Sequence, residues 1–170
     1  MDSSCTIALL GQPNAGKSTL FNGLTGARQH VGNWPGKTVE QKEGYFKKDG
    51  VSYTVVDLPG SYSLSANSDE EIVTRDYIAS GKADVVCILA DASQLERSLF
   101  MLADYTGIHV PTILLLNMMD VAKAQGKEVN CTALEKELGI PVLPFVAANR
   151  KEYPSLYAVL QRTDRKNSLG

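Results

Sequence analysis

Gly11-Gln12-Pro13-Asn14-Ala15-Gly16-Lys17-Ser18 is the stretch that decides the fold. It fits G-x-x-x-x-G-K-[ST] at every fixed position, and its flanks supply the required context. Residues 6–10 before it form a short continuous apolar run, as expected for a buried parallel strand. Residues 17–25 after it carry Leu20, Phe21 and Leu24 at helical spacing, and Gly26 stands where a C-cap would be. A glycine-containing loop between strand and helix lets successive backbone N–H groups wrap a phosphate, and the helix dipole adds to the attraction. Gly11, Asn14, Ala15, Gly16, Lys17, Ser18 and Thr19 are therefore the expected phosphate-side contacts. Lys17 would reach the β- and γ-phosphates, and the Ser18 hydroxyl would ligate Mg²⁺. A glycine turn with an incidental Lys-Ser is the competing reading, and strand, helix and spacing together argue against it.

Outward from this loop, apolar runs alternate with helix-like segments. Residues 39–47 and 51–57 read as two strands joined by Lys48-Asp49-Gly50, whose Asp-Gly pair is a hairpin signal. Ser68-Asp69-Glu70-Glu71 opens a helix to about residue 80, with Ser68 and Glu71 spaced as a capping box. Strand 84–90, helix 94–106, strand 112–117, helix 131–138, strand 142–146 and helix 152–161 follow, then a polar tail over 162–170. Such alternation implies an α/β fold: a mostly parallel six-stranded sheet, one antiparallel edge strand from the hairpin, and helices on both faces. One domain over 1–161 is expected, with 162–170 as a frayed end or linker stub.

Composition narrows the classes further. The 170 residues carry 17 Lys plus Arg against 19 Asp plus Glu, a net charge of −2. A general nucleic-acid-binding surface would show an excess of basic residues, so none is expected. No apolar run approaches the roughly 18–20 residues of a membrane-spanning helix, and the chain by itself reads as soluble. Cys5, Cys87 and Cys131 are scattered, without a CxxC pair, which suits a reducing compartment. Cys5 and Cys87 lie in apolar runs and read as packing residues.

What the loop binds is read from two further motifs. Asn117-Met118-Met119-Asp120 ends an apolar strand, at the carboxyl edge where open α/β sheets bind ligands. An Asp carboxylate accepts hydrogen bonds from guanine N1–H and N2 but finds neither donor on adenine, which favours guanine. This resembles the N-K-x-D motif of the GTPase superfamily, with Met118 in place of Lys; Met supplies only the apolar part of that stem. Asp57-Leu58-Pro59-Gly60 matches D-x-x-G. Asp57 would hold Mg²⁺ through a water, and the Gly60 N–H would touch the γ-phosphate. Thr38 is the candidate switch threonine for Mg²⁺ and the γ-phosphate. The fifth GTPase motif, usually S-A-x, reads Ala147-Ala148-Asn149 here. The Ala148 N–H could still contact guanine O6, whereas Ala147 lacks the usual loop-ordering hydroxyl. Modest affinity and fast nucleotide exchange are expected from that loss.

Gly11–Ser18 with Pro13 and Asn14, the stretch Val31-Gly32-Asn33-Trp34-Pro35-Gly36-Lys37-Thr38-Val39-Glu40, Lys42-Glu43-Gly44, and Asp57-Leu58-Pro59-Gly60-Ser61-Tyr62-Ser63-Leu64 together resemble the cytosolic GTPase domain of FeoB, the bacterial ferrous iron transport family. The likeness runs from about residue 6 to residue 160, and it implies a Ras-like P-loop NTPase fold. It implies a GTP-hydrolysing regulatory domain on the cytoplasmic face of the bacterial inner membrane. Helical and transmembrane regions of the same transporter, small Feo accessory proteins and weak self-association are the partners it suggests, and an excised amino-terminal module or a very short paralogue the origin. Similarity to potassium-activated GTPases implies K⁺ held by Asn14 and by the backbone carbonyls of Gly32 and Trp34, beside the phosphates. Ser61 stands where Ras-like proteins place a water-orienting Gln, so the cation would supply transition-state charge instead.

Bland readings stand beside these. Asn14 could simply shape its loop, and the Trp34 side chain reads as an anchor. His30 and His109 read as surface or loop residues, and no iron site is legible. Two alternative functions are carried: a soluble Era-like ribosome- or RNA-associated GTPase, and a GTP sensor with negligible hydrolysis.

Overall fold

The computed structural model describes residues 3–11, 16–59, 69–95 and 110–163. Strand β1 (Ser3–Gly11) runs into the phosphate-loop motif, and helix α1 (Lys17–Thr25) leaves it. Then come β2 (Gln29–Asn33), β3 (Glu40–Lys48), β4 (Val51–Asp57) and α2 (Asp69–Ala79). Strand β5 (Val85–Asp91) is followed by a 3₁₀ turn at Ala92–Gln94, then β6 (Thr112–Asn117) and α3 (Met119–Ala124). Helix α4 (Cys131–Leu138), β7 (Val142–Pro144), a 3₁₀ turn at Arg150–Glu152 and α5 (Tyr153–Thr163) complete the described chain.

The strands form one sheet in the order β2-β3-β4-β1-β5-β6-β7. The five strands from β4 to β7 are parallel, and β3 is antiparallel to β4 through the expected hairpin. Asp49 (φ 52) and Gly50 (φ 79) both take the left-handed conformation that a tight hairpin of this twist requires. The sheet has seven strands where six were expected. The addition is β2, which pairs antiparallel with β3 from Gln29↔Gly44 to Asn33↔Glu40. Its side chains are almost all exposed, so no buried face marks it in the sequence. Strand β7 stops at Pro144, two residues short of the expected end, and the Phe145 N–H just beyond it makes a last bond to β6, donating to Leu116 O at 2.9 Å.

Two apolar layers cover the sheet. Successive residues of β1 point to opposite faces. Cys5, Ile7 and Leu9 pack with Leu20, Phe21 and Leu24 of α1 and with Tyr153, Leu156 and Leu160 of α5. Ala8 and Leu10 pack on the other side with Ile78 of α2, Ala122 of α3 and Leu134 of α4. Residues 85–90 are buried throughout, as a strand covered on both faces must be. Cys5 and Cys87 are buried and Cys131 is partly exposed. The expected helix over 94–106 lies outside the described residues beyond Leu95, as do Ser68 of the capping box, His109 and the tail from residue 164.

The order of strands positions the site. The chain passes from β1 to β4 on one side and then from β4 to β5 on the other, so β1 sits at the reversal point. Crevices for ligands open at the carboxyl ends of strands beside such a point. Gly11, Asp57, Asp91 and Asn117 all stand at those ends, with Leu9 beside Asp57, Gly11 beside Leu89, and Asp91 beside Asn117.

Candidate functional site

Helix α1 begins directly after Gly16, whose φ of 94° lies in the left-handed region that favours glycine. A Cβ at Gly16 would lie 2.6 Å from the Asn117 side-chain nitrogen and 3.7 Å from the Ala147 methyl. Glycine therefore lets three separated motifs, the phosphate loop, the end of β6 and the loop after β7, close onto one another. The first residue of the helix, Lys17, is 7 % exposed. Its ammonium lies 2.9 Å from Asp57 Oδ1 and donates to the Leu58 carbonyl at 2.5 Å. A buried cation is costly unless paired and hydrogen-bonded. Asp57 and Leu58, at the end of β4, meet both needs.

Lys17, Ser18, Thr38 and Asp57 line a single cavity of about 380 Å³, together with Val39, Glu40, Lys42, Pro59 and Glu70. Two hydroxyls and a carboxylate facing one space form an oxygen donor set suited to a hard cation such as Mg²⁺. Thr38 reaches the cavity from the loop before β3. That loop is a tight turn: the Lys37 N–H donates to the Trp34 carbonyl at 2.9 Å, with Pro35 and Gly36 (φ 72) between them. Pro followed by a left-handed Gly is the signature of a type II turn. The Trp34 N–H donates to Val39 O at 2.9 Å and closes the loop behind Thr38.

The Trp34 indole packs edge-on against Tyr77 of α2 at 5.5 Å, in the second apolar layer. This places its side chain as a loop anchor. Of the two expected K⁺ carbonyls, that of Trp34 accepts the turn hydrogen bond and Gly32 lies within β2 opposite Gln41. The third group, Asn14, lies outside the described residues, as do Ala15, Gly60 and Ser61.

Asn117 ends β6 and Asp120 is exposed in the first turn of α3. Between them Met118 adopts φ 59 and ψ 35, a left-handed bend that turns the chain abruptly from strand to helix. Ala147 is 4 % exposed whereas its neighbour Ala148 is exposed. Thr19 lies in the first turn of α1 with its side chain exposed.

Sequence reasoning did not single out Glu40, Lys42 or Glu70 as cavity residues. Glu40 and Lys42 lie two apart on β3, hence on one face of the strand, and their charged groups sit 3.7 Å apart. Strand alternation was the available signal. The Asp69-Glu70-Glu71 run opens α2 as expected, and Glu71 is buried with Arg75 3.5 Å away, one turn on. His30 is exposed on β2. Among the described residues, no three His, Cys, Asp or Glu side chains gather as a metal-binding group, and no helix is long and apolar enough to cross a membrane.

Comparison with known proteins agrees with this geometry. The family described as "Ferrous iron transport protein B" matches residues 5–160. The Fe(2+) transporter FeoB of Salmonella typhimurium is 44 % identical over 168 residues, covering 96 % of this chain and 22 % of that protein. The chain thus spans about a fifth of the length of the curated relatives it matches. Among solved structures, the G domain of the T. maritima FeoB iron transporter superposes with a TM-score of 0.86 at 39 % identity, covering 94 % of this chain and 98 % of that one. The cytosolic domain of the same transporter in its GMPPNP form gives a TM-score of 0.85 at 40 % identity, covering 93 % of this chain and 63 % of the other.

Proposed function

The chain belongs to the ferrous iron transport protein B family, and from that membership and the site geometry we propose that it binds GTP and hydrolyses it to GDP and phosphate. In this reading it is the regulatory G domain of a ferrous iron transporter, spanning 1–161, with 162–170 leading toward helical and transmembrane regions of the same protein. It works at the cytoplasmic face of the inner membrane, where small Feo accessory proteins and a second copy are candidate partners. The family assignment and the single-domain match to a G domain weigh against the Era-like alternative.

One observation carries the proposal: Lys17, Ser18, Thr38 and Asp57, from three separate motifs, converge on one cavity. Lys17 would leave Asp57 to meet the β- and γ-phosphates, while the backbone N–H groups of the loop, including those of Asn14, Ala15 and Gly16, cradle them. Ser18 and Thr38 would hold Mg²⁺ through their hydroxyls and Asp57 through a water. An ion held by these residues would supply charge neutralisation at the phosphates for a hydrolysis in which water adds to the γ-phosphorus and GDP leaves through its β-phosphate oxygen. The Gly60 N–H would sense the γ-phosphate. At the other end Asn117 ties the base motif to the phosphate loop, Asp120 reads guanine N1–H and N2, and the Ala148 N–H reads O6. Met118 and Ala147 pack beside the nucleotide.

K⁺ held by Asn14 and the carbonyls of Gly32 and Trp34 would supply the charge that an arginine finger supplies elsewhere. In this conformation the Trp34 carbonyl already accepts from Lys37, so the turn at 34–37 must open or share that oxygen for the ion to bind. The test is GTP turnover in K⁺ and in Na⁺, for the parent and for Asn14→Ala. We expect K⁺ to accelerate the parent and not the variant. Equal turnover in both salts would remove the cation's role, and no turnover in either would turn the reading to a GTP sensor.

A further inference from the structure

The loop after β7 is held by one side chain that the nucleotide motifs do not include. Phe145 N donates to Leu116 O at 2.9 Å and Asn149 N to Val146 O at 2.9 Å, which closes the turn. Val146 is 48 % exposed and Ala148 is exposed, so neither outward side chain anchors the loop. The inward hold is at Ala147: its methyl is buried against the phosphate-loop end, and its carbonyl accepts the Tyr153 hydroxyl at 2.8 Å. Tyr153 is only 2 % exposed, and burial pushes its pKa up, so the hydroxyl keeps its proton as a donor.

The side chain that carries this hydroxyl is held at its ring and at its oxygen. The ring packs on Phe145 at 5.2 Å, the Arg150 guanidinium lies over it at 4.7 Å, and Gly23 of α1 lies against its oxygen. A Cβ at Gly23 would fall 2.1 Å from the Tyr153 oxygen and 2.8 Å from Cζ. Glycine is unfavourable inside a helix relative to alanine, and here it makes room for this contact. Arg150 also donates to the Gly23 carbonyl, so α1, which carries Lys17 and Ser18, is tied to the same residue cluster.

We infer that Tyr153 is a positioning residue for guanine recognition: its hydroxyl holds the Ala147 carbonyl so that the next amide, Ala148 N–H, stands where guanine O6 is read. The inference rests on the nucleotide-site reading above and deepens it. The usual serine hydroxyl is missing at position 147, and the loop is ordered from α5 instead, through its backbone.

The test is stopped-flow release of mant-labelled GDP and mant-labelled 6-thio-GDP from the parent and from Tyr153→Phe. The thio analogue keeps both donors that Asp120 reads and replaces the O6 acceptor by a weak one. Tyr153→Phe should speed GDP release about fivefold, the scale of one lost hydrogen bond, and thio-GDP release less than about twofold. The discrimination between the two nucleotides therefore collapses, which general loosening would not produce. Equal acceleration of both, or of neither, overturns the inference. A parent that binds neither nucleotide overturns the underlying site reading instead. Should Tyr153→Phe not fold, Gly23→Ala crowds the same oxygen while favouring the helix, and must give the same collapse.

Discussion

Replacing Lys17 by Met in the nucleotide-free protein tests how the site is held together before any ligand arrives. The Lys17 and Asp57 side chains are 9 % and 14 % exposed and their charges lie 2.9 Å apart. Met fills the apolar stem but leaves the Asp57 carboxylate without its counter-charge and the Leu58 carbonyl without its donor. Orphaning one half of a buried pair costs about 3–5 kcal/mol, and access to the cavity lowers this toward about 2. The lost bond to Leu58 adds about 1 kcal/mol. A total near 3 kcal/mol corresponds to a fall of about 8 °C in Tm for a domain of this size. Asp57→Asn keeps the bond from Lys17 to Leu58 and should cost roughly half as much, by the same accounting for a charge left at the cavity edge. In the double variant no charge is orphaned, so the two single costs should exceed the double cost by about 2 kcal/mol. Urea unfolding of the four proteins, stripped of nucleotide and Mg²⁺, measures this coupling. A coupling below about 0.5 kcal/mol would refute the reasoning, because it would mean the two charges are solvated independently.

Two further outcomes follow from the same structure. Asp120→Asn offers an amide where guanine needs a carboxylate, so GDP affinity should fall about 10–100-fold while xanthosine diphosphate gains; competition against a fluorescent nucleotide reads both, and parallel losses would displace Asp120 from the base. Burial pushes the Cys87 thiol and, with nearby carboxylates, the Tyr77 hydroxyl up to about 12 from ordinary values of 9.0 and 10.0. Both are held protonated in the fold, so their stabilisation is complete below pH 9 and is lost as pH rises toward about 12. Urea midpoints falling between pH 9 and 11, with Cys87 resisting thiol reagents until unfolding, are the expected result.

Much of the fold is legible because its signals are local. Helix α1 occupies 17–25, β6 occupies 112–117 and α4 occupies 131–138, as read from the sequence. Each has a short-range cause: the Gly26 cap, an unbroken apolar run, and the Asn130 side chain accepting from Ala133 N at 3.0 Å. Strand β2 has none. Gln-His-Val-Gly-Asn shows neither alternation nor an apolar run, and it is a strand only because β3 lies beside it. Helix α3 is equally silent, since it starts from Met118 in a left-handed conformation with no capping side chain.

The site divides along the same line. Lys17, Ser18, Thr38, Asp57, Asn117 and Asp120 are legible because each sits in a short motif of fixed spacing, proposed above to serve a phosphate or a base. The structure gathers the first four on one cavity and sets Asn117 against Gly16. Glu40 and Lys42 enter that cavity together through the alternation of β3, whereas Glu70 enters from α2, and only the packing of α2 beside the loop reveals it. Here Lys37 comes within 3.9 Å of Asp69, Trp34 meets Tyr77, and Thr74 donates to the Pro59 carbonyl at 3.2 Å. Thus α2 touches both loops that would contact the γ-phosphate, although its sequence reads only as an acidic-capped helix. Tyr153 and Gly23 are the extreme case. One reads as an ordinary core aromatic, the other as a weak point in a helix. Their meaning lies in an oxygen that leaves no room for a methyl group, and no local pattern encodes a contact between opposite ends of the chain.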